Sequence, residues 1–338
     1  MTAGPLGHDG HLPVLPAEVL RLLEVRPGQG VADLTAGRGG HAELLARAAA
    51  PGGRILVMDL DRGNLDAASS RVASAVPGVA LSAVHGSFSG VELAMARQGW
   101  GADRVLADLG FSSTQMDDPS RGFSFMADGP LDMRLDPSRG ETAAELLEHL
   151  PESALADAIF QLGEDPFARR IARVIVERRR GGGLRTTAAL ADAVRAAYGA
   201  RARESRMHPA TRTFMALRIL VNGELEALRA LLDAVGRGVR ATAAGQPAWL
   251  VSGARVAIIS FHSLEDRLVK QAFHDLERAG LGTRVTRKPV EASEAELRGN
   301  PRSRSAKLRV FAAGTGAPEA ESVPEKNSVS DQPDRSAG

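Results

Sequence analysis

Short apolar runs alternate with longer stretches of helical period through the first third of the chain. The runs are VADL (31–34), RILVMDL (54–60), VALSAVH (79–85) and RVLADLG (104–110). Between them, helices are predicted at about 40–50, 62–76 and 89–98. Strands separated by helices of this length predict right-handed crossover units and a parallel sheet. A short helix at about 17–25 precedes Pro27-Gly28, and residues 1–15 read as a loose arm.

After Gly110 the alternation stops. Residues 111–140 are loop-like, and from 141 to about 200 the pattern is helical only: ETAAELLEHL, SALADAIFQL, FARRIARVIVERRR and TAALADAVRAAY. A long helix at about 210–235 then leads to the strand RVAIISFH (255–262), a helix from Leu264, and two late strands near 283–287 and 307–312. The predicted architecture is an α/β core of residues 1–110 and 208–314, mostly parallel and twisted, interrupted by an all-α insertion over 111–207. The polar, Pro/Ser/Glu-rich tail 315–338 is predicted to be disordered. There is no internal repeat.

Composition narrows the class. The chain is 43% hydrophobic and 25% charged, with no apolar run long enough for a membrane span. Its N-terminus lacks the charged and apolar regions of a secretory signal, so the cytoplasm is expected. The absence of cysteine excludes disulfides, cysteine-held zinc, iron–sulfur clusters and any thiolate nucleophile; no metal is expected. Net charge is only +1, but just four of the 42 basic residues are lysine. Arginine suits bidentate phosphate contacts and stacking on bases. Genomic codon bias also raises arginine, so clustering is the better sign.

The stretch VADLTAGRGGHAELLARAA, 31–49, runs from a strand through glycines into a helix. It lacks the lysine of a phosphate-binding Walker loop. Gly37-Arg38-Gly39-Gly40-His41-Ala42 fits the loose dinucleotide pattern, and Asp59 lies 22 residues past Gly37. An NAD-type dinucleotide oxidoreductase is therefore open, as is a tight turn with no ligand. Asp33, just before the glycines, would repel a pyrophosphate and attract an ammonium. Asp108 ends the fourth strand in the same crevice. A ligand with an amino-acid cation at one end and ribose-adenine at the other, such as S-adenosylmethionine, suits this better. Asp59 would take the ribose hydroxyls and Phe88 would pack on adenine. Strand-end aspartates also cap helices, and Phe88 also reads as core.

Longer motifs are DLTAGRGGH (33–41), HGSFS (85–89), DLGFSS (108–113), DDPSRGFSFMADGPLDMRLDP (117–137), HPATRTFMALRILVN (208–222), ISFHSLEDR (259–267) and NPRSRSAKLR (300–309). Through them the chain resembles the MraW (RsmH) family over about residues 11–312. These are bacterial methyltransferases acting on N4 of a decoding-site cytosine in 16S rRNA. HLPVLP at 11–16 departs from a more threonine-rich opening, and LTAG from the commoner T-F-G lead-in. The resemblance implies a Rossmann-like class I methyltransferase core with a helical domain inserted. It implies S-adenosylmethionine held by Gly39, Gly40, His41, Asp59, Phe88, Asp108 and Gln115. It also implies 16S rRNA in the small ribosomal subunit as partner, and a homodimer stays an open expectation.

N4 of cytosine has a delocalised lone pair, so an acceptor for its N–H and alignment with the methyl donor are what the chemistry needs. Asp108 and the GFSS loop with Ser112 are best placed, and His262, Ser263 and Glu265 at the end of the next strand are expected to face the same crevice, with His262 a catalytic candidate beside Asp108 and Ser112. Ser263 with Asp266 also resembles a capping box. Methylation at C5 in its usual form needs a cysteine, which is absent.

For RNA, Arg121 and Arg134 with Phe123 and Phe125 form a loop over the site, unless the phenylalanines only pack the loop. Arg169, Arg170 and Arg173 sit on one insertion helix with Arg178, Arg179 and Arg180. With Arg212 and NPRSRSAKLR they make a phosphate-binding surface, the alternative being a solvated helix face. A non-catalytic RNA-binding module is the third reading.

Overall fold

The computed structural model describes residues 12–180, 184–203 and 207–314. The first eleven residues of the expected arm and the whole tail 315–338 lie outside them. The first half alternates as the apolar runs predict: α1 (Pro16–Leu23), β1 (Gly30–Asp33), α2 (Gly40–Ala49), β2 (Arg54–Asp59), α3 (Arg62–Ala75), β3 (Ala80–His85), α4 (Val91–Gln98) and β4 (Ala102–Asp108). Then come α5 (Ser113–Asp117), α6 (Ala143–His149), α7 (Glu152–Gly163), α8 (Ala168–Arg179), α9 (Thr187–Tyr198), α10 (Ala210–Asn222) and α11 (Glu224–Ala243). The sheet resumes with β5 (Leu250–Ser260), α12 (Ser263–Arg278), β6 (Gly282–Arg284), α13 (Glu294–Gly299) and β7 (Lys307–Ala313).

The seven strands lie in the order β3-β2-β1-β4-β5-β7-β6. The first five are parallel, and β7 runs antiparallel between β5 and β6. Strand order reverses at β1 and β4, the switch point where open α/β sheets bind ligands beyond the carboxyl ends of their strands. Side chains alternate between the two faces. Val105 and Ala107 of β4 join a core with α4, α11 and α12, while Leu106 joins another with α1, α2 and α3. Burial on both faces is why these strands read as continuous apolar runs.

The helices between α5 and α11 pack on each other. Leu147, Ile159, Ile171, Ile175, Leu190, Val194, Phe214 and Leu217 form a third core. The long helix expected at 210–235 is two. Gly223, with φ 58°, ends α10 in the left-handed conformation and turns the chain into α11. Residues 12–15 of the expected loose arm are also tied down. Leu15 is fully buried, and its N–H donates to Oε1 of Glu296 at 2.7 Å. Asn300 Nδ2 donates to the carbonyl of Leu12 at 3.3 Å.

Candidate active site

The carboxyl ends of β1, β2 and β4 open into a cleft of about 1130 Å³, open solvent included. Gly37, Gly40, His41, Asp59, Phe88, Asp108, Ser112 and Gln115 all line it. The arm residues Leu12, Pro13 and Val14, together with Asn300 and Arg302, line it as well.

The turn after β1 is shaped by close approach. A Cβ on Gly39, where φ is 82°, would stand 2.8 Å from Cα of Ala68, so only glycine fits. The turn is held from β2. Asp59 accepts the N–H of Gly37 through Oδ2 at 2.8 Å and the N–H of Asp61 through Oδ1 at 2.7 Å. Its remaining lone pairs leave acceptor capacity for hydroxyl groups. Burial raises its pKa to about 6.

Asp33 is fully buried, and its Oδ1 accepts the N–H of Thr35 at 3.2 Å. Its Oδ2 has no hydrogen-bond partner, and burial lifts the carboxyl to about 7. Across the junction, Thr35 Oγ1 accepts the N–H of Asp108 at 2.6 Å. The Asp108 side chain is 21% exposed, yet its Oδ1 is shut from solvent and unpartnered. Burial pushes this carboxyl well above the usual range. His41 Nε2 stands 3.6 Å from Asp108 Oδ2, and burial pushes the imidazole down to about 4, so it is neutral near pH 7.

Beyond β4, Ser112 caps α5 in a true capping box: its Oγ accepts the Gln115 N–H, and Gln115 Oε1 accepts the Ser112 N–H at 2.8 Å. Gln115 Nε2 donates to Asp61 Oδ2 at 3.0 Å. Both ends of this amide thus hold the loop from inside. Arg121 completes the clasp, donating to Asp61 Oδ2 at 2.7 Å and to the carbonyls of Arg134 and Leu135. Arg134 grips Asp132 at 2.8 and 2.7 Å. Arg121 is thus tied to the turn before α3 as well as to its own loop, and Arg134 is tied within the loop. Phe123 and Phe125 pack: Phe123 stacks on Phe111 at 5.4 Å, and Phe125 on His208 at 4.4 Å.

At the end of β5 the expected capping box is absent. Residue 262, not Ser263, is the N-cap, and Ser263 Oγ donates to Glu164 Oε2 at 3.1 Å. Glu265 Oε2 accepts the Phe261 N–H at 2.9 Å, while Asp266 takes both arms of Arg309. His262 does not line the cleft; its Nε2 stands 3.3 Å from Glu265 Oε1. Glu224, His262 and Glu265 bring ligand atoms within 4.8 Å of one another. Arg218 already claims both oxygens of Glu224, at 2.8 and 2.7 Å, so the cluster is an ion-pair network. The Arg218 guanidinium also lies 4.8 Å over Phe111.

Arg169, Arg170 and Arg173 are exposed on α8, away from the cleft lining. Arg212 is part-buried and donates to the carbonyl of Glu164 at 3.0 Å. Sequence reasoning missed Asp61, Asn64, Phe111 and Phe261. Of these, Phe111 and Phe261 lie in the motifs DLGFSS and ISFHSLEDR, and Asp61 carried no local signal beyond a strand-end turn.

The donor set fits a cationic nucleoside. Asp108 lines the cleft with one unpartnered oxygen, Asp33 stands fully buried behind the lining with another, and Asp59 retains acceptor capacity; a pyrophosphate gains nothing from such acceptors. This sheet order, with the glycine turn and the carboxylates of β1, β2 and β4, is that of a class I methyltransferase using S-adenosylmethionine. Residues 8–313 match the MraW methylase family, and the chain belongs to it. It is 46% identical over 302 residues to Ribosomal RNA small subunit methyltransferase H of Sorangium cellulosum, covering 89% of this chain and 90% of that one. Its counterpart of the same name in Solibacter usitatus is 45% identical, covering 89% and 99%. A third, in Pelobacter propionicus, is 45% identical over 317 residues, covering 88% and 97%. No helix among the described residues is long and apolar enough to cross a membrane.

Proposed function

We propose that the protein methylates N4 of a decoding-site cytosine in 16S rRNA, acting on the small ribosomal subunit in the cytoplasm. The observation that carries this reading is identity of 45–46% over about nine-tenths of both chains to small-subunit rRNA methyltransferases. S-adenosylmethionine supplies the methyl group. Gly39, Gly40, His41, Asp59, Phe88, Asp108 and Gln115 are proposed to surround it. Asp59 takes the ribose hydroxyls. Asp108 accepts a hydrogen bond from the amine, which localises the lone pair on N4. Ser112 fixes the loop that follows, and the His262–Glu265 pair stiffens the wall at the end of β5. The helical insertion 111–207, with Arg169, Arg170, Arg173 and Arg212, is proposed as the RNA-facing part. The lack of cysteine supports the exocyclic nitrogen over C5. The buried carboxyls Asp33 and Asp108 disfavour a dinucleotide oxidoreductase.

The test is tritiated methyl transfer to 30S particles lacking the modification, followed by digestion and mass spectrometry of the nucleosides. N4-methylcytidine is expected; label on C5 or ribose defeats the reading, and no transfer at all favours a non-catalytic RNA-binding role. Asp108→Asn should lower turnover more than it lowers cofactor affinity.

A further inference from the structure

Asp33 and Asp108 end adjacent strands, and each buries one oxygen that meets no donor. Negative charges press on them: Asp59 of β2 on Asp33, and Asp33 and Glu265 of α12 on Asp108. Nearby cations are committed elsewhere. Arg218 pairs with Glu224, Arg71 with Glu43 at 2.7 Å, and Arg302 with Asp117 at 2.8 Å. Arg38 lines the cleft from the turn. His41, the ring beside Asp108, is neutral. Two carboxylates so placed cannot both stay ionised at low cost, and a proton is the counter-charge at hand.

We propose that this pair recognises the methyl donor by exchanging its protons for the donor's positive charge, and that Asp108, ionised in this way, then takes the proton that leaves N4. The proposal rests on the methyl-transfer reading above. Asp108 meets the donor from the cleft lining, and Asp33, fully buried behind it, is a positioning residue whose charge acts through Asp108 to distinguish a sulfonium from the neutral thioether of the product. The balance closes. The N4 lone pair forms the new N–C bond, and the electron pair of the broken S–C bond returns to sulfur. The amine loses one proton to the Asp108 carboxylate. One positive charge has gone from the cleft and one carboxyl is protonated again, as before binding. Asp108 also becomes able to take the amine's proton only when the donor is bound, so the donor binds before RNA in a productive encounter.

Isothermal titration of the full chain at pH 7, in buffers of different ionisation enthalpy, counts the protons released. S-adenosylmethionine should release at least about half a proton per site, and S-adenosylhomocysteine distinctly less. Asp59 meets both ligands alike, so the difference between them isolates the sulfonium charge. Sinefungin, which carries an amine in place of the sulfonium, should follow S-adenosylmethionine. Between pH 6 and 8 the affinity for S-adenosylmethionine should rise more steeply than that for S-adenosylhomocysteine, approaching tenfold per unit for each proton released. Asp33→Asn should still bind, with fewer protons released and a flatter slope. Equal release by the two ligands, or none, overturns the proposal while leaving the methyltransferase reading intact. Failure of S-adenosylmethionine to bind at all would overturn both.

Discussion

Thr35 and Asp108 are joined side chain to backbone: Thr35 Oγ1 accepts the Asp108 N–H at 2.6 Å. This bond locks the turn after β1 to the end of β4, beside the two carboxyls with unpartnered oxygens. Thr35→Val keeps the shape and leaves a buried N–H unmet, which costs about 1–3 kcal/mol. Urea denaturation should show a lower midpoint at unchanged slope, and methyl transfer should fall with it. Unchanged stability would mean that the amide finds water or another acceptor.

Asp59 does two things at once, holding the Gly37 and Asp61 amides and standing where ribose hydroxyls are expected. Asp59→Ala should weaken S-adenosylmethionine binding by about 2–3 kcal/mol, read by calorimetry. Affinity equal to wild type would remove Asp59 from the site.

The pH dependence of stability follows from the raised carboxyls. Asp33 at about 7 and Asp59 at about 6 bind protons in the folded state that the unfolded chain has already released above 3.8. Their contribution is therefore complete below 3.8 and is lost as pH rises from there through 6 to 7. The cofactor-free protein should lose up to about 1.4 kcal/mol per pH unit per group across that window. Asp33→Asn should flatten the curve. Stability that instead climbs steadily from pH 5 to 7.5 would show that Asp33 is ionised in the folded protein. Glu265 has the opposite sign. Burial alone would raise Glu265, but His262, the Phe261 N–H and Arg218 together hold it below the usual range, so its share fades only in acid.

For RNA, reversal of charge at Arg169, Arg170 and Arg173 should raise KM for the ribosomal substrate and flatten its salt dependence, with cofactor affinity as before. These side chains are exposed on α8, so stability should move by no more than a few tenths of a kcal/mol. Kinetics matching wild type at every salt concentration would take α8 out of the RNA surface.

The sheet was legible because buried parallel strands are apolar on both faces, and the strand-end aspartates Asp59 and Asp108 followed from their position at the end of such runs. What escaped depends on partners far along the chain. Arg121 reads as a free basic residue until Asp61, sixty residues earlier, is seen to receive it. The S-x-x-D pattern at 263–266 is the same whether Ser263 caps its helix or reaches Glu164, as it does. Gly223 sits inside a helical pattern, and only the Arg218–Glu224 pair beside it shows what the break achieves.

The joint between Leu15 and Glu296 spans 281 positions. Leu12, Pro13 and Val14 therefore take their place along the cleft only once α13 has been made. During synthesis the N-terminal strands can pair early, since domains form as they emerge. The side of the cleft lined by Asn300 and Arg302 cannot. A chain cut before α13 would keep its glycine turn and strand-end carboxylates yet lack one wall of the cleft, so the pocket is closed by two segments that the sequence holds farthest apart.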